Sequence, residues 1–435
     1  MLLTSKAEPW VPHEASDRSK AISSLEVTLG SIAGISNPRI FLSAGEASGD
    51  HYGAAIIACL RTRLPGAAFV GLGGTAMEVA GQQRVVRAED VAHMGLTEVL
   101  RHAPYIYAQY HRLVHTIKRD RPDVAVLIDF PDVNFRLAKH LRRLGVPVVW
   151  FVSPQLWAWK RRRLRWVQQR VDRMLTIFPF EEPFYRARGV DAEFVGHPLA
   201  TLGMPQSTRQ DYALRNGLGS AKRWVALLPG SRRKEVDANL PEMLGALQLL
   251  SRQYSLEILI PIASTIRPEW LKEHADRLGE NIHLVSDARE ALFHARAAVV
   301  ASGTATVQAL TIGNPFVVVY RVSKLTFAVV KRMVRYPKEI PAAADADGNL
   351  PVGMVNLIAG RRIVPELLNE RFTAANLAAA LRPLLEDGPE RAHMVADLAD
   401  ARARLMPEGG SDPIGRVCDA ILQLPGVGQT AGGSV

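Results

Sequence analysis

Strand and helix signals alternate along this chain in two successive series, and that alternation limits the folds open to it. Short, almost wholly apolar runs occupy 39–43, 68–72, 123–128, 147–152 and 173–177, with helical patterns at 50–64, 104–119, 135–144 and 161–171. Strands that are apolar on both faces belong to a parallel sheet covered by helices on both sides. A second series follows, with strands at 225–228, 256–260, 282–285, 297–301 and 315–320 and helices at 235–252, 267–278, 287–295 and 304–311. Between the series, residues 196–220 carry Pro198, Gly203, Pro205, Gly217 and Gly219 around one short helix at 208–215, which reads as a boundary. The pattern predicts an α/β chain of two Rossmann-like domains facing a central cleft, over 38–200 and 201–395, with further helices at 325–334, 374–385 and 414–422. Residues 1–37 and 425–435 read as disordered extensions, and 396–424 as C-terminal helices.

Composition narrows the function. The 435 residues are 48% apolar and 22% charged, which fits globular domains and excludes collagen-like or wholly disordered chains. Two cysteines are too few for a disulfide framework or a cysteine-based zinc site, and the scattered histidines give no metal-ligand spacing. The sequence has no apolar run long enough to span a bilayer, and residues 1–37 lack the apolar stretch of a secretory signal. Lys plus Arg exceeds Asp plus Glu by 53 to 43, a net charge of +10, which fits nucleic acid, anionic membrane or phosphorylated small molecules as partners.

Six constellations sit where strands run into helices. Ser43-Ala-Gly-Glu-Ala-Ser-Gly-Asp50 sets Glu46 and Asp50 at a strand mouth, with Ser48 as a candidate cap. Gly71-Leu-Gly-Gly-Thr-Ala76 is a weak dinucleotide-type match that follows the second strand of the domain rather than the first, and it reads more readily as a plain glycine turn. Asp129 ends an apolar strand, where desolvation raises a carboxylate pKa and suits a general base, while Asp132 and Asn134 stand at the following helix start. Trp157, Trp159 and Trp166 interleave with a basic run from Lys160 to Arg173, the composition of a nucleic-acid or lipid-headgroup patch as well as of a solvated helix face. Gly230, Ser231 and Arg232 open a helix after a strand, as do Ser302, Gly303 and Thr304, so each turn can cradle an anion.

Taken in order, these motifs resemble a known family. Residues 44–50, Met94-Gly-Leu-Thr-Glu-Val-Leu100, 128–134, the Val152-Ser-Pro-Gln-Leu-Trp-Ala-Trp159 run, Phe178-Pro-Phe-Glu181, Val195-Gly-His-Pro198, 227–232, 301–306, Asn356-Leu-Ile-Ala-Gly360 and Val364-Pro-Glu-Leu-Leu368 are similar to lipid-A-disaccharide synthases over roughly 39–385. The resemblance implies an inverting GT-B glycosyltransferase with an acceptor and membrane domain before a UDP-sugar domain. The reaction would join UDP-2,3-diacylglucosamine to 2,3-diacylglucosamine 1-phosphate, giving a lipid A disaccharide 1-phosphate and UDP. It would need no metal and no cofactor, the UDP-sugar being substrate, on the cytoplasmic face of the inner membrane. Carried over by motif, Asp129 would be the base and Glu46 a second catalytic carboxylate. Arg232, Ser231, Gly230, Ser302, Gly303, Thr304, Gln308, Asn356, Asp132 and Asn134 would bind substrates. Leu96, Val99, Leu100, Tyr105 and Ile106 would dock on an anionic membrane. A buried core helix is the plainer reading of that last segment.

Some positions depart from the family pattern. Gln308 stands where the family usually has Glu, Gly353-Met-Val-Asn356 replaces a Ser-Leu-Pro-Asn segment, Asn369 replaces a common Gln, and 341–351 reads as an insertion. Gln308 keeps open another GT-B enzyme on a UDP-sugar, such as an epimerase or a transferase with a different acceptor. A nucleic-acid-binding protein using 160–173 is the rival from another class, and it predicts salt-sensitive binding without sugar turnover. The expected partners are lipid substrates and the membrane surface rather than nucleic acid, with a homodimer left open. Intact Asp129, Glu46 and Arg232 argue against an inactive scaffold.

Overall fold

The computed structural model describes residues 32–92, 103–263, 265–275 and 281–424. The first series forms one seven-stranded sheet: β1 (Arg39–Ala44), β2 (Ala68–Gly73), β3 (Gln82–Arg87), β4 (Val124–Ile128), β5 (Val148–Phe151), β6 (Arg173–Thr176) and β7 (Ala192–Phe194). Its order is β3-β2-β1-β4-β5-β6-β7, all parallel. The second series forms a six-stranded parallel sheet in the order β10-β9-β8-β11-β12-β13. Its strands are β8 (Arg223–Leu228), β9 (Leu256–Pro261), β10 (Ile282–Val285), β11 (Ala297–Ala301), β12 (Phe316–Tyr320) and β13 (Glu366–Leu368). Both are Rossmann-like sheets, as the α/β alternation predicts. The central strands β4 and β11 are buried along their whole length, because helices cover both faces.

The helices used below are α1 (Ala47–Arg63), α2 (Thr75–Ala80), α3 (Ala103–Arg119), α4 (Pro131–Arg143), α5 (Leu164–Arg170), α6 (Arg233–Leu250), α7 (Thr304–Ile312), α8 (Lys324–Met333), α9 (Pro389–Ala403) and α10 (Pro413–Leu422). Strand order reverses between β1 and β4 in the first sheet and between β8 and β11 in the second. Ligands of open α/β sheets bind in the crevice at such reversal points, beyond the carboxyl ends of the strands. The register sets Ala44 beside Ile128 and Leu228 beside Val300, so residues 45–46 and 129 leave one crevice while 229–232 and 302–304 leave the other.

The carboxyl edges of the two sheets meet on one side. Trp157, beyond β5, packs its ring 5.5 Å from Tyr336, beyond β12. Arg161 donates to the Arg335 carbonyl, and Arg188 pairs with Glu339 at 3.2 Å. The chain then returns to the first half. Helix α9 stays with the second sheet, while α10 packs on α1, with Cys418 Sγ 3.9 Å from the Ile56 carbonyl and Arg63 paired to Asp419. The helices of 396–424 are therefore shared between the halves rather than a separate unit.

Some expectations need correction. Residues 32–37 are not loose: Ile32 is fully buried and its N–H donates to the Leu424 carbonyl at 3.1 Å. The remainder of the two extensions, 1–31 and 425–435, lies outside the described residues. Strands β3, β7 and β13 and helix α2 have no counterpart in the sequence pattern, α9 begins before the expected 396, and α1 begins three residues earlier than its pattern suggests. Among the described residues no helix is long and apolar enough to cross a membrane, and no group of His, Cys, Asp or Glu has metal-holding geometry.

Candidate active site

The crevice of the first sheet is built around Asp129. This residue follows β4, and both it and Phe130 adopt left-handed backbone, with φ of 44° and 48°. Two consecutive non-glycine residues in that region store strain of about 1–3 kcal/mol each, so something must hold them. Asn134 does: its Nδ2 reaches the carbonyls of Asp129 at 2.7 Å and Ile128 at 3.2 Å, and its Oδ1 accepts from Ser43 Oγ at 2.6 Å. Asn134 is fully buried with its amide spent on this clamp. Its amide therefore holds the Asp129 turn rather than facing the crevice, where a binding residue was expected. Gly45 passes under the Phe130 ring, where an added Cβ would lie 2.4 Å from it.

Burial first, and then the Glu46 charge, push the Asp129 carboxyl from an ordinary 3.8 up to about 7. Glu46 is exposed at the N-terminus of α1 and caps nothing with its side chain. Tyr52, half-buried on α1, was missed by sequence reasoning. Burial and the Asp129 charge push its hydroxyl up to about 12, which keeps it a neutral donor beside that carboxylate. Asp50 has a different part. It accepts from the N–H groups of Gly74 at 2.8 Å, Ala76 at 2.9 Å and Met77 at 3.0 Å, capping α2. The glycine-rich turn at 71–76 thus already holds an internal anion, and a dinucleotide pyrophosphate has no free N–H groups there.

In the second crevice Gly230 turns at φ 132° and Arg232 lies exposed at the start of α6. Glu235 reaches back to the N–H groups of Ser231 at 3.0 Å and Arg232 at 3.3 Å, and pairs with the Arg232 guanidinium at 2.9 Å. The anion-binding N–H groups of this turn are thus taken by the chain's own carboxylate. The other cradle is open: Gly303 (φ 149°) precedes α7, no side chain caps the helix, and Gly303 and Thr304 are exposed. Ser302 Oγ donates to the Val352 carbonyl at 3.3 Å, and Gln308 is half-buried further along α7.

Asn356 does not line the cleft. Fully buried, it accepts from the N–H groups of Ile363 and Val364 and donates to the Val364 carbonyl and Glu366, fixing the approach to β13. Asn369 bonds both ways to the Val322 backbone. Asp132 is exposed and paired with Arg163 at 2.7 Å. Of the interleaved tryptophans, Trp157 is buried and bonded to Glu181, Trp166 is half-buried, and Trp159 is exposed. That leaves few rings for base stacking. Leu96, Val99 and Leu100 lie outside the described residues; Tyr105 is exposed and Ile106 half-buried. Sequence reasoning assigned no docking role to α8, which buries none of its residues and exposes Leu325, Val329 and Met333 among Lys324, Lys331 and Arg332. Its apolar residues at helical spacing beside lysines and arginine were the signal available.

Comparison with known proteins agrees with this layout. The family model for lipid-A-disaccharide synthetase matches residues 40–407. The lipid-A-disaccharide synthase of Acidobacterium capsulatum is 50% identical over 86% of this chain and 94% of its own length. That of Koribacter versatilis is 48% identical over 84% and 93%, and that of Pseudomonas aeruginosa 38% over 89% and 98%. Among solved structures, the glycotransferase of kitacinnamycin superposes with a TM-score of 0.58 at 15% identity, covering 89% of this chain and 99% of that one. A putative UDP-N-acetylglucosamine 2-epimerase from Listeria monocytogenes gives 0.56 at 12%, covering 88% and 96%. At such identities these two show the GT-B fold alone. The match along both halves places the chain in the lipid-A-disaccharide synthase family of GT-B glycosyltransferases.

Proposed function

We propose that this chain transfers a diacylglucosamine unit from its UDP derivative to the 6-hydroxyl of 2,3-diacylglucosamine 1-phosphate, with inversion and release of UDP. The observation that carries the reading is the placement of unlike chemistry at the two reversal points of one family member: a strained, desolvated carboxylate at one, anion-binding turns at the other. Asp129, raised to about 7, is matched to take the proton of an attacking hydroxyl near neutral pH. Glu46 supplies negative charge beside it, and Tyr52 can donate to an acceptor oxygen. At the leaving end Arg232 and the N–H groups of Gly303 and Thr304 offset the charge that grows on the diphosphate, once Glu235 has moved aside. No metal or cofactor enters this scheme. Gln308 offers an amide oxygen to the ribose.

The substrates carry acyl chains, so the reaction belongs at a lipid surface. We infer a peripheral position on an anionic inner membrane, supported by exposed Tyr105 and by the apolar and basic face of α8. The test is turnover by purified protein with both lipid substrates in mixed micelles, followed by mass spectrometry. A disaccharide phosphate and UDP in equal amounts is the expected result. Release of a 2-epimer of the donor, or no product at all, refutes it.

A further inference from the structure

Beside the loop that carries Asp129, helices α3, α4 and α5 enclose a groove of about 310 Å³. Its cationic lining is Arg136, Lys139, Arg163 and Arg170, with the His140 imidazole beside them, against one acid, Asp132. Asp132 is paired with Arg163, and Arg170 donates to the Phe135 carbonyl at 3.0 Å. Arg136 and Lys139 are exposed, and among the described residues neither has a carboxylate at ion-pair distance. Aromatic rings form the wall: the guanidinium groups of Arg163 and Arg170 lie over the Trp166 ring, at 5.5 and 5.0 Å from its centre, with Phe135 against it and Tyr110 also lining the groove. The groove is positive, and its one acid, Asp132, is already paired with Arg163. Burial, then Lys118, Arg143, Lys139 and His111, push the His140 imidazole below its ordinary value.

The position gives the groove a meaning. Its upper end is Pro131 and Asp132, the first turn of the helix that the Asp129 loop opens. Arg136 lies one turn further along α4, and His140 one turn beyond that. A molecule whose hydroxyl is held at Asp129 can therefore extend an anionic group into cations on the same helix. We propose that this groove binds the phosphate monoester of the acceptor, with Arg136 and Lys139 as its principal cations and the Trp166 wall beside the sugar. This rests on the reaction proposed above. It assigns recognition of the acceptor's anionic end to α4 and α5, apart from the diphosphate cradles of the second sheet. It also gives the tryptophan–arginine run at 160–173 a role other than nucleic-acid stacking.

The test is the Arg136→Ala/Lys139→Ala double variant, whose altered side chains are exposed. KM for the phosphorylated acceptor should rise roughly tenfold or more, the worth of lost charge-assisted contacts. KM for the UDP-sugar should stay unchanged, and the rise should vanish with an acceptor lacking the phosphate. An unchanged KM, or an equal rise with both acceptors, overturns the assignment. Binding is read independently of turnover from the His140 imidazole resonance. Glucosamine 1-phosphate should raise the pH at which it titrates in the unaltered protein and not in the variant, while glucosamine should do neither. No response to glucosamine 1-phosphate overturns the proposal, as does a response to phosphatidylglycerol vesicles alone, which would give the groove to bilayer headgroups. Absence of turnover in the unaltered protein refutes the reaction, and the His140 titration still decides the groove.

Discussion

Replacing Asp129 by Asn should remove activity and stabilise the fold, by an amount that depends on pH. The folded carboxyl titrates at about 7, and in an unfolded chain an aspartate titrates at about 3.9. The folded state thus holds this proton more tightly. Stability from the protonated group is fully present below the unfolded value and is lost as pH rises through the folded one. The easier ionisation of the unfolded chain therefore costs the native protein about 4 kcal/mol at pH 8 and roughly 1–2 kcal/mol at pH 5. Water reaching the half-buried carboxyl from the cleft trims both figures, so the difference is the firmer quantity. Asn has the same shape, carries no charge and tolerates the left-handed backbone required at φ 44°. The variant should therefore gain about 2 kcal/mol more stability over wild type at pH 8 than at pH 5. Denaturant unfolding at the two pH values measures this, and turnover should fall by about 10²–10⁴. An equal gain at both pH values, or a loss at pH 8, would refute the argument that burial and Glu46 hold this carboxyl in a costly state.

Three further outcomes are expected. Arg232→Ala should weaken UDP binding by about tenfold or more, read by calorimetry, with the fold unaffected because the side chain is exposed; an unchanged affinity would remove Arg232 from the diphosphate site. Gln308→Glu should tighten UDP binding a few-fold if its side chain meets the ribose hydroxyls, and identical affinities would place the ribose elsewhere. Asn134→Ala should release the Asp129 turn, lowering kcat far more than it raises either KM and costing about 1–3 kcal/mol of stability; a kcat at the wild-type level would show that the turn holds itself.

Much of this was legible because parallel strands buried on both faces announce themselves as apolar runs, and because crevice motifs must follow such runs. Asp129 and Glu46 were readable at strand ends for that reason. What escaped were strands without the signature: β3 reads Gln-Gln-Arg-Val-Val-Arg at a sheet edge, and β7 and β13 have three residues each. Asparagine was the other blind spot. Its amide can cap, bind substrate or clamp backbone, and only burial reveals that Asn134 and Asn356 do the last. The part of Asp50 was hidden too, since nothing in the local sequence says that a carboxylate on α1 meets the N–H groups of α2. The basic run from Lys160 was visible, but its partners on α4 were brought to it by the fold.

The return of α10 to the first half matters for how the chain is made. Val417, Cys418 and Ile421 are buried as this helix packs on α1, and Ile32 is tied to Leu424. While a ribosome is still reading the second sheet, the first has all its strands but lacks this cover. Domains often complete themselves in order of emergence, yet here the earlier half waits for residues 413–424. An apolar strip on α1 stays open throughout that interval, available to a chaperone or to a neighbouring nascent chain. A transcript cut short after the second sheet would leave a product with both sheets in place and an unsealed flank, a substrate for proteolysis.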